Sequence, residues 1–244
     1  MTDPQSAIPP VWSYWEGPQP GWIDLCLRTL RRNVPGIQIL TPESWGEIYD
    51  GEEIPPARLN QLKPNLKSDF IRCWLLRRFG GIWLDADCIA FDDIRKIWHR
   101  TCAGHVAAYR CHGFPCTAVL AARTSNPVME RYGEKIRRVI LEATGTLGFQ
   151  SVGPLVLFAA ARELQVPIAM LRRERIHPIS WHQHELLSRE ADDTEHAAIS
   201  TLCPDLLTVM LTHLVLRQLR FLSSESLLAS RSYAGWLFRR ALAV

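Results

Sequence analysis

Two aspartates, Asp85 and Asp87, stand one residue apart at the end of an apolar run that follows a double glycine, Gly80-Gly81. In an extended strand, side chains at i and i+2 point the same way, roughly 6.5–7 Å apart. The spacing therefore predicts both carboxylates on one side and Ala86 on the other. Like charges that close repel unless a cation or solvent relieves them. Hard oxygen ligands with open coordination positions suit Mg²⁺ or Mn²⁺, which keep waters and bind substrate phosphates at the same time. Such an ion would neutralise a diphosphate leaving group, as a Lewis acid at the bond that breaks. The plainer alternative is a pair of solvated aspartates at a strand end. The apolar strand and the glycine break just before them favour the metal.

A second pair lies upstream. Asp69 and Arg72 are three residues apart on a helix predicted from about Leu66 to Phe79 and stopped by Gly80. Three-residue spacing puts them on one face. The helix ends at the glycine turn from which the aspartate strand returns, so the pair is expected near the metal. Asp69 would accept hydrogen bonds from sugar hydroxyls, and Arg72 would donate to sugar or phosphate oxygens. The alternative is a surface ion pair, worth less than about 1 kcal/mol.

These residues need a scaffold. Residues 8–15 read as an opening strand, 22–33 as an amphipathic helix, and Ile37–Leu40 as a second strand. Thr41-Pro42 opens another helix as cap and first-turn proline. Strand–helix–strand–helix is the signature of an α/β fold, a parallel sheet covered by helices. Ile82–Asp87 is expected as a buried strand, 126–143 as a charged helix, Gly153-Pro154 as the start of an apolar helix, and Ser224–Leu242 as one final amphipathic helix. No repeat or low-complexity tract interrupts the 244 residues, and one domain is the simplest division.

Composition excludes several classes. Hydrophobic content is 47% and charged content 22%, ordinary for a globular protein. A formal charge of +3 is too mild to argue for nucleic acid. No run reaches the roughly 18 apolar residues of a membrane span. Seven cysteines are scattered, several in apolar runs, and the opening residues show no secretory pattern. Both point to a reducing cytoplasm with thiols acting as small core residues. The tail from Arg217 holds five arginines and one glutamate, with Tyr233, Ala234, Leu237, Phe238 and Ala241 on one helical face. A basic amphipathic helix can rest on the inner face of an anionic membrane. Packing onto the domain is the favoured alternative.

The order Ser68-Asp69-x-x-Arg72, then Gly80-Gly81-Ile82-Trp83-Leu84-Asp85-Ala86-Asp87, resembles the DXD glycosyltransferases with sugar-binding regions. The opening IPPVWSYWEGPQPGWIDLCLRTLRRNVPG resembles the capsular polysaccharide synthesis protein family. The match covers residues 8–40 and 63–92 well and the remainder loosely. The resemblance implies a GT-A fold, with a Rossmann-like, mostly parallel sheet flanked by helices. It implies metal-dependent, retaining transfer of a sugar from a nucleotide-diphosphate donor, most readily a UDP-sugar, to a glycan or lipid-linked glycan in surface polysaccharide synthesis. By position, Asp87 is then the main metal ligand, and Asp85 supports the metal and contacts ribose or sugar. Asp69 and Arg72 hold the donor sugar, Trp15 lies near the base, and Trp83 sits beside the donor. His213 falls where relatives carry a histidine close to metal or diphosphate, although a lone histidine in an apolar run is more often core. The same resemblance divides the chain into a nucleotide-sugar part (8–122), an acceptor-side part (123–216), where Gly153-Pro154 opens a helix flanking the acceptor cleft, and the basic terminal helix (217–244).

Three other readings are weaker. A haloacid-dehalogenase-like phosphatase also uses an Asp-x-Asp after a strand, but wants a small residue where Ile89 stands and an acidic pair after an apolar strand, whereas Asp192-Asp193 lies in polar sequence. Cys102, His105, Cys111, His112 and Cys116 follow no standard zinc spacing. A non-catalytic sugar-nucleotide or glycan-binding module of the same fold would tolerate loss of the aspartates, which are intact here.

Overall fold

The computed structural model describes residues 8–111, 113–148, 151–179, 183, 185–199, 203–211 and 217–243. Among these, the strands are β1 (Val11–Tyr14), β2 (Gln38–Leu40), β3 (Gly81–Leu84), β4 (Cys88–Ala90), β5 (Ala107–Cys111), β6 (Phe114–Ala122), β7 (Ala169–Leu171) and β8 (Thr208–Met210). The first six helices are α1 (Gly21–Asn33), α2 (Pro42–Ile48), α3 (Pro56–Leu59), α4 (Pro64–Phe79), α5 (Pro127–Glu142) and α6 (Pro154–Glu163). Contacts divide the chain into two compact units that interleave in sequence: Met1–Glu16, Gln38–Leu84 and Arg95–Leu171 in one, Gly17–Ile37, Asp85–Ile94 and Arg172–Val244 in the other.

The first unit has the expected α/β architecture, a mostly parallel sheet flanked by helices. Its six strands run in the order β2-β1-β3-β6-β5-β7. β1 pairs parallel with β2 and β3, and β5 pairs parallel with β7, while β6 runs antiparallel to both neighbours. β2 and β3 therefore flank β1 on opposite sides, so the order of connection reverses between β1 and β3. α4 packs on β1, β3 and β6, and α6 packs on β6. α4 is buried over most of its surface, with Leu66, Phe70, Ile71, Trp74, Leu75 and Leu76 enclosed and the charged Lys67, Asp69 and Arg72 buried beside them.

Two glycines fix the exit of α4. Gly80 ends the helix at φ 65°, and Gly81 follows at φ 105°, a region L side chains avoid. A Cβ on Gly81 would stand 2.3 Å from the Pro10 carbonyl oxygen, which accepts from the Ile82 amide at 2.9 Å. The double glycine is what lets β3 lie against β1.

In the second unit β4 and β8 form an antiparallel pair beside α1 and the Tyr233–Leu242 helix. The Thr29 hydroxyl on α1 accepts from the Ala90 amide at 3.0 Å, and the Asn33 side chain donates to the Ala90 and Ala241 carbonyls.

Two expectations about elements are corrected. The strand expected over Ile82–Asp87 ends at Leu84, where β3 finishes its pairing with β6. Asp85-Ala86-Asp87 is a turn, with the Cys88 amide donating to the Asp85 carbonyl at 3.3 Å, and the chain resumes as β4 on a different partner. The single terminal helix is two, Ser224–Ala229 and Tyr233–Leu242. Ser230 leaves the helix at ψ 150°, and the Ser232 hydroxyl caps the second by accepting from Gly235 N at 3.1 Å. Serines prefer such caps to helix interiors because their hydroxyls compete for backbone bonds.

Candidate active site

Asp85 and Asp87 lie directly beyond the carboxyl end of β3. Ligands of open α/β sheets bind outside the carboxyl ends of strands where strand order reverses, and here that point is between β1 and β3. A turn does not impose the strand spacing on which the same-side expectation rested. Ala86 is buried, and both aspartates are partly exposed. Asp87 is anchored through its backbone, its carbonyl accepting from the Leu211 amide at 2.8 Å just past β8. Its charge reaches the interior of the second unit. Burial first, and the Asp87 carboxylate second, push the Cys26 thiol of α1 well above its usual range.

Two partly exposed aspartates in one turn, with Asp87 Oδ1 itself buried, fit a cation that takes one or two protein carboxylates and fills its other positions with water and phosphate. Among the described residues, no group of three or more His, Cys, Asp or Glu side chains could hold a metal ion. A wholly protein-built cage is thus not what these residues make. His213 lies outside the described residues, two positions along the chain from Leu211, and so do His112, His182 and His184.

Asp69 and Arg72 form a buried cluster in the first unit, 7% and 4% exposed. Arg72 Nη1 donates to Asp69 Oδ1 at 2.5 Å and to Thr117 Oγ1 on β6 at 2.5 Å. Its guanidinium stands over the Trp83 ring, 5.0 Å from the centroid. The surface ion-pair alternative is excluded by this enclosure. Trp83, expected beside the donor, is fully buried in this structure. What it provides is the plane beneath Arg72, a cation–π contact in a site shielded from water.

The Gly153-Pro154 step acquires a local reason. Gly153 caps α6, and a Cβ there would lie 3.1 Å from Asp69 Oδ2. Glycine leaves room for the carboxylate at the helix's N-terminal end, where the partial positive charge favours an anion. Tyr132 on α5 donates its hydroxyl to the Val152 carbonyl at 2.8 Å, fixing the residue before. Burial, and next the Asp69 charge, raise that phenol well above its ordinary range.

At the carboxyl end of β1, sequence reasoning selected Trp15, which is half-buried with its amide donating to the Leu40 carbonyl at 3.0 Å. It missed the neighbour. Glu16 accepts from Lys67 Nζ at 2.8 Å through Oε1 and from the Tyr14 hydroxyl at 2.8 Å through Oε2. The Lys67 side chain is 6% exposed and the Glu16 side chain 25%. Burial first, then the bond to Glu16, raises the Tyr14 phenol far above its usual value. The one signal was Lys67 beside Leu66 on α4, a buried ammonium that needs an acid to pair with. Its partner, 51 residues away, carried no local mark.

The apolar face of the terminal helix is covered by the protein. Tyr233, Ala234, Leu237 and Phe238 are at most 1% exposed and Ala241 5%. The favoured alternative, packing of that face onto the protein, is what these burials show. No helix among the described residues is long and apolar enough to cross a membrane.

No family model matches the chain, and no curated protein matches it. Among solved structures it is similar to the PaToxG glycosyltransferase, at 14% identity over 63% of this chain and 68% of that one, with a TM-score of 0.43. It is also similar to an active-site mutant of LgtC, at 11% identity over 82% of this chain and 86% of that one, with a TM-score of 0.45. Both scores lie below 0.5, so the weight of any functional assignment falls on the residues of this chain.

Proposed function

We propose that the chain is a metal-dependent glycosyltransferase of GT-A type, moving a sugar from a nucleotide-diphosphate donor to a glycan acceptor. The observation that carries this is the Asp85-Ala86-Asp87 turn, two partly exposed aspartates directly beyond β3, the strand beside the reversal point of a mostly parallel sheet. Asp87 is the principal ligand of a Mn²⁺ or Mg²⁺ ion, and Asp85 supports it and meets ribose or sugar. When bound, the ion supplies Lewis-acid neutralisation of the diphosphate as the sugar leaves. Asp69 accepts from donor-sugar hydroxyls, and Arg72, held by Asp69, Thr117 and the Trp83 ring, donates to sugar or phosphate oxygens. Trp15 stacks near the base, and His213 completes the diphosphate side.

A UDP-sugar donor, a glycan or lipid-linked glycan acceptor, retention of anomeric configuration, a role in capsular or other surface polysaccharide and a cytoplasmic site of action belong to the same proposal. They rest on the motif order in residues 8–40 and 63–92. The test is a panel of nucleotide sugars incubated with Mn²⁺ and with chelator, reading release of nucleoside diphosphate. Release from one donor only with the cation, increased by a glycan acceptor, supports a transferase. Cation-dependent binding without release in any acceptor mixture supports a binding module instead. A cation-dependent release of inorganic phosphate from phosphomonoesters would contradict both.

A further inference from the structure

We propose that Glu16 is the carboxylate that reads the nucleoside of the donor, pinned for that task by Lys67 and Tyr14. This rests on the nucleotide-sugar reading above and assigns a residue that reading does not use. Three observations converge on Glu16. First, it is the second residue beyond β1, at the carboxyl edge where the strand order reverses between β1 and β3. That edge is where an open α/β sheet receives its ligand. Second, its two carboxylate oxygens are each held by a different donor, Lys67 Nζ and the Tyr14 hydroxyl, both at 2.8 Å. Enclosing a lysine ammonium is unfavourable unless it is paired, and the pair here fixes one rotamer of one acid rather than filling a core. Third, Glu16 is the accessible member. Its side chain is 25% exposed against 6% for Lys67.

A carboxylate has about four lone-pair sites, and the two pinning bonds occupy two. The remaining acceptor capacity suits neutral N–H or O–H donors. The net charge of the Glu16–Lys67 pair is zero, so it attracts no phosphate. A nucleoside offers two sources of such donors, the ribose hydroxyls and an imide or amino group of the base. Lys67 and Tyr14 are positioning residues, acting only through the orientation of Glu16.

The experiment is calorimetric titration of the full chain in Mn²⁺ with nucleoside diphosphates of different bases, with the 2′-deoxy form of the tightest binder, and with inorganic pyrophosphate. The wild type prefers one diphosphate. Glu16→Gln weakens that ligand about tenfold or more, the range for a hydrogen bond to a charged group, and narrows the spread across the panel, while pyrophosphate binds as before. Loss of the preference against the 2′-deoxy form assigns the ribose, and loss of preference among bases assigns the base. Tyr14→Phe deletes a single hydroxyl and gives a smaller loss in the same direction with the fold retained. If both variants discriminate as the wild type does, Glu16 does not read the nucleoside, although the metal reading stands. If the wild type binds no nucleoside diphosphate with the cation, the functional reading itself fails and this assignment falls with it.

Discussion

Thr117 shows how the buried cluster depends on single atoms. Its hydroxyl takes one of the bonds donated by Arg72 Nη1, inside a site with almost no water access. Thr117→Val keeps the shape and removes the acceptor, leaving a buried guanidinium under-satisfied. Chemical denaturation should show a loss of about 1–3 kcal/mol, and Thr117→Ser should recover most of it. An unchanged midpoint in the valine variant would mean that the hydroxyl does not support Arg72. Gly153→Ala tests the same site from another side. The added methyl must displace the Asp69 carboxylate by a few tenths of an ångström, so the affinity for nucleotide sugar should fall while affinity for the bare nucleoside diphosphate is kept. Equal losses for both ligands would contradict a sugar-side role for Asp69.

At the scale of elements, two glycine turns and the α5–α6 pair make separable predictions. Gly36 and Gly81 both have positive φ, but a Cβ on Gly36 meets nothing within 4 Å, whereas one on Gly81 meets the Pro10 backbone. Gly36→Ala should lose only the left-handed penalty, about 1–2 kcal/mol. Gly81→Ala should lose more, because β1 and β3 must separate. Similar midpoints for the two variants in denaturation would refute the close approach. A pH effect belongs to α5 and α6. Arg131 and Lys135 on α5 hold the Glu163 carboxylate of α6 at about 2, below its usual 4.5. A depressed acid stabilises above its unfolded value and loses that contribution as pH falls toward the folded value. Lowering the pH from about 5 to 2 should therefore weaken the α5–α6 contact, modestly because the groups are exposed and salt-screened. Glu163→Gln should flatten that part of the pH–stability curve.

The elements themselves were largely legible. Periodicity and caps marked α1, α2, α4, α5 and α6 within a few residues, because each signal is local. The errors fell where a tertiary partner decides. Leu84, Asp85 and Asp87 read as one strand because apolar residues run through them, but β3 pairs with β6 and β4 with β8. Ser230 and Ser232 fit the amphipathic pattern of one continuous helix, although serines are also the residues that cap. Of the candidate site, Asp69, Arg72, Asp85 and Asp87 stood out by spacing. Thr117, Tyr132 and Glu16 did not, because a polar residue whose partner lies 45 or 51 positions away has no periodic signature.

For the whole molecule, the covered face of the Tyr233–Leu242 helix predicts no bilayer insertion through that helix. Co-sedimentation with anionic vesicles should show weak, salt-sensitive association at most, unaltered by Phe238→Ala in folded protein. Salt-resistant binding lost in that variant would overturn the packing described. The central claim is the cation held at the turn after β3. It is tested most directly by calorimetric titration of Mn²⁺ and nucleoside diphosphate into the wild type and Asp87→Ala, with the melting temperature of each recorded. Diphosphate binding by the wild type that needs the ion, and its loss in a variant melting as the wild type does, is the expected result. Equal, ion-dependent binding by Asp87→Ala would contradict it.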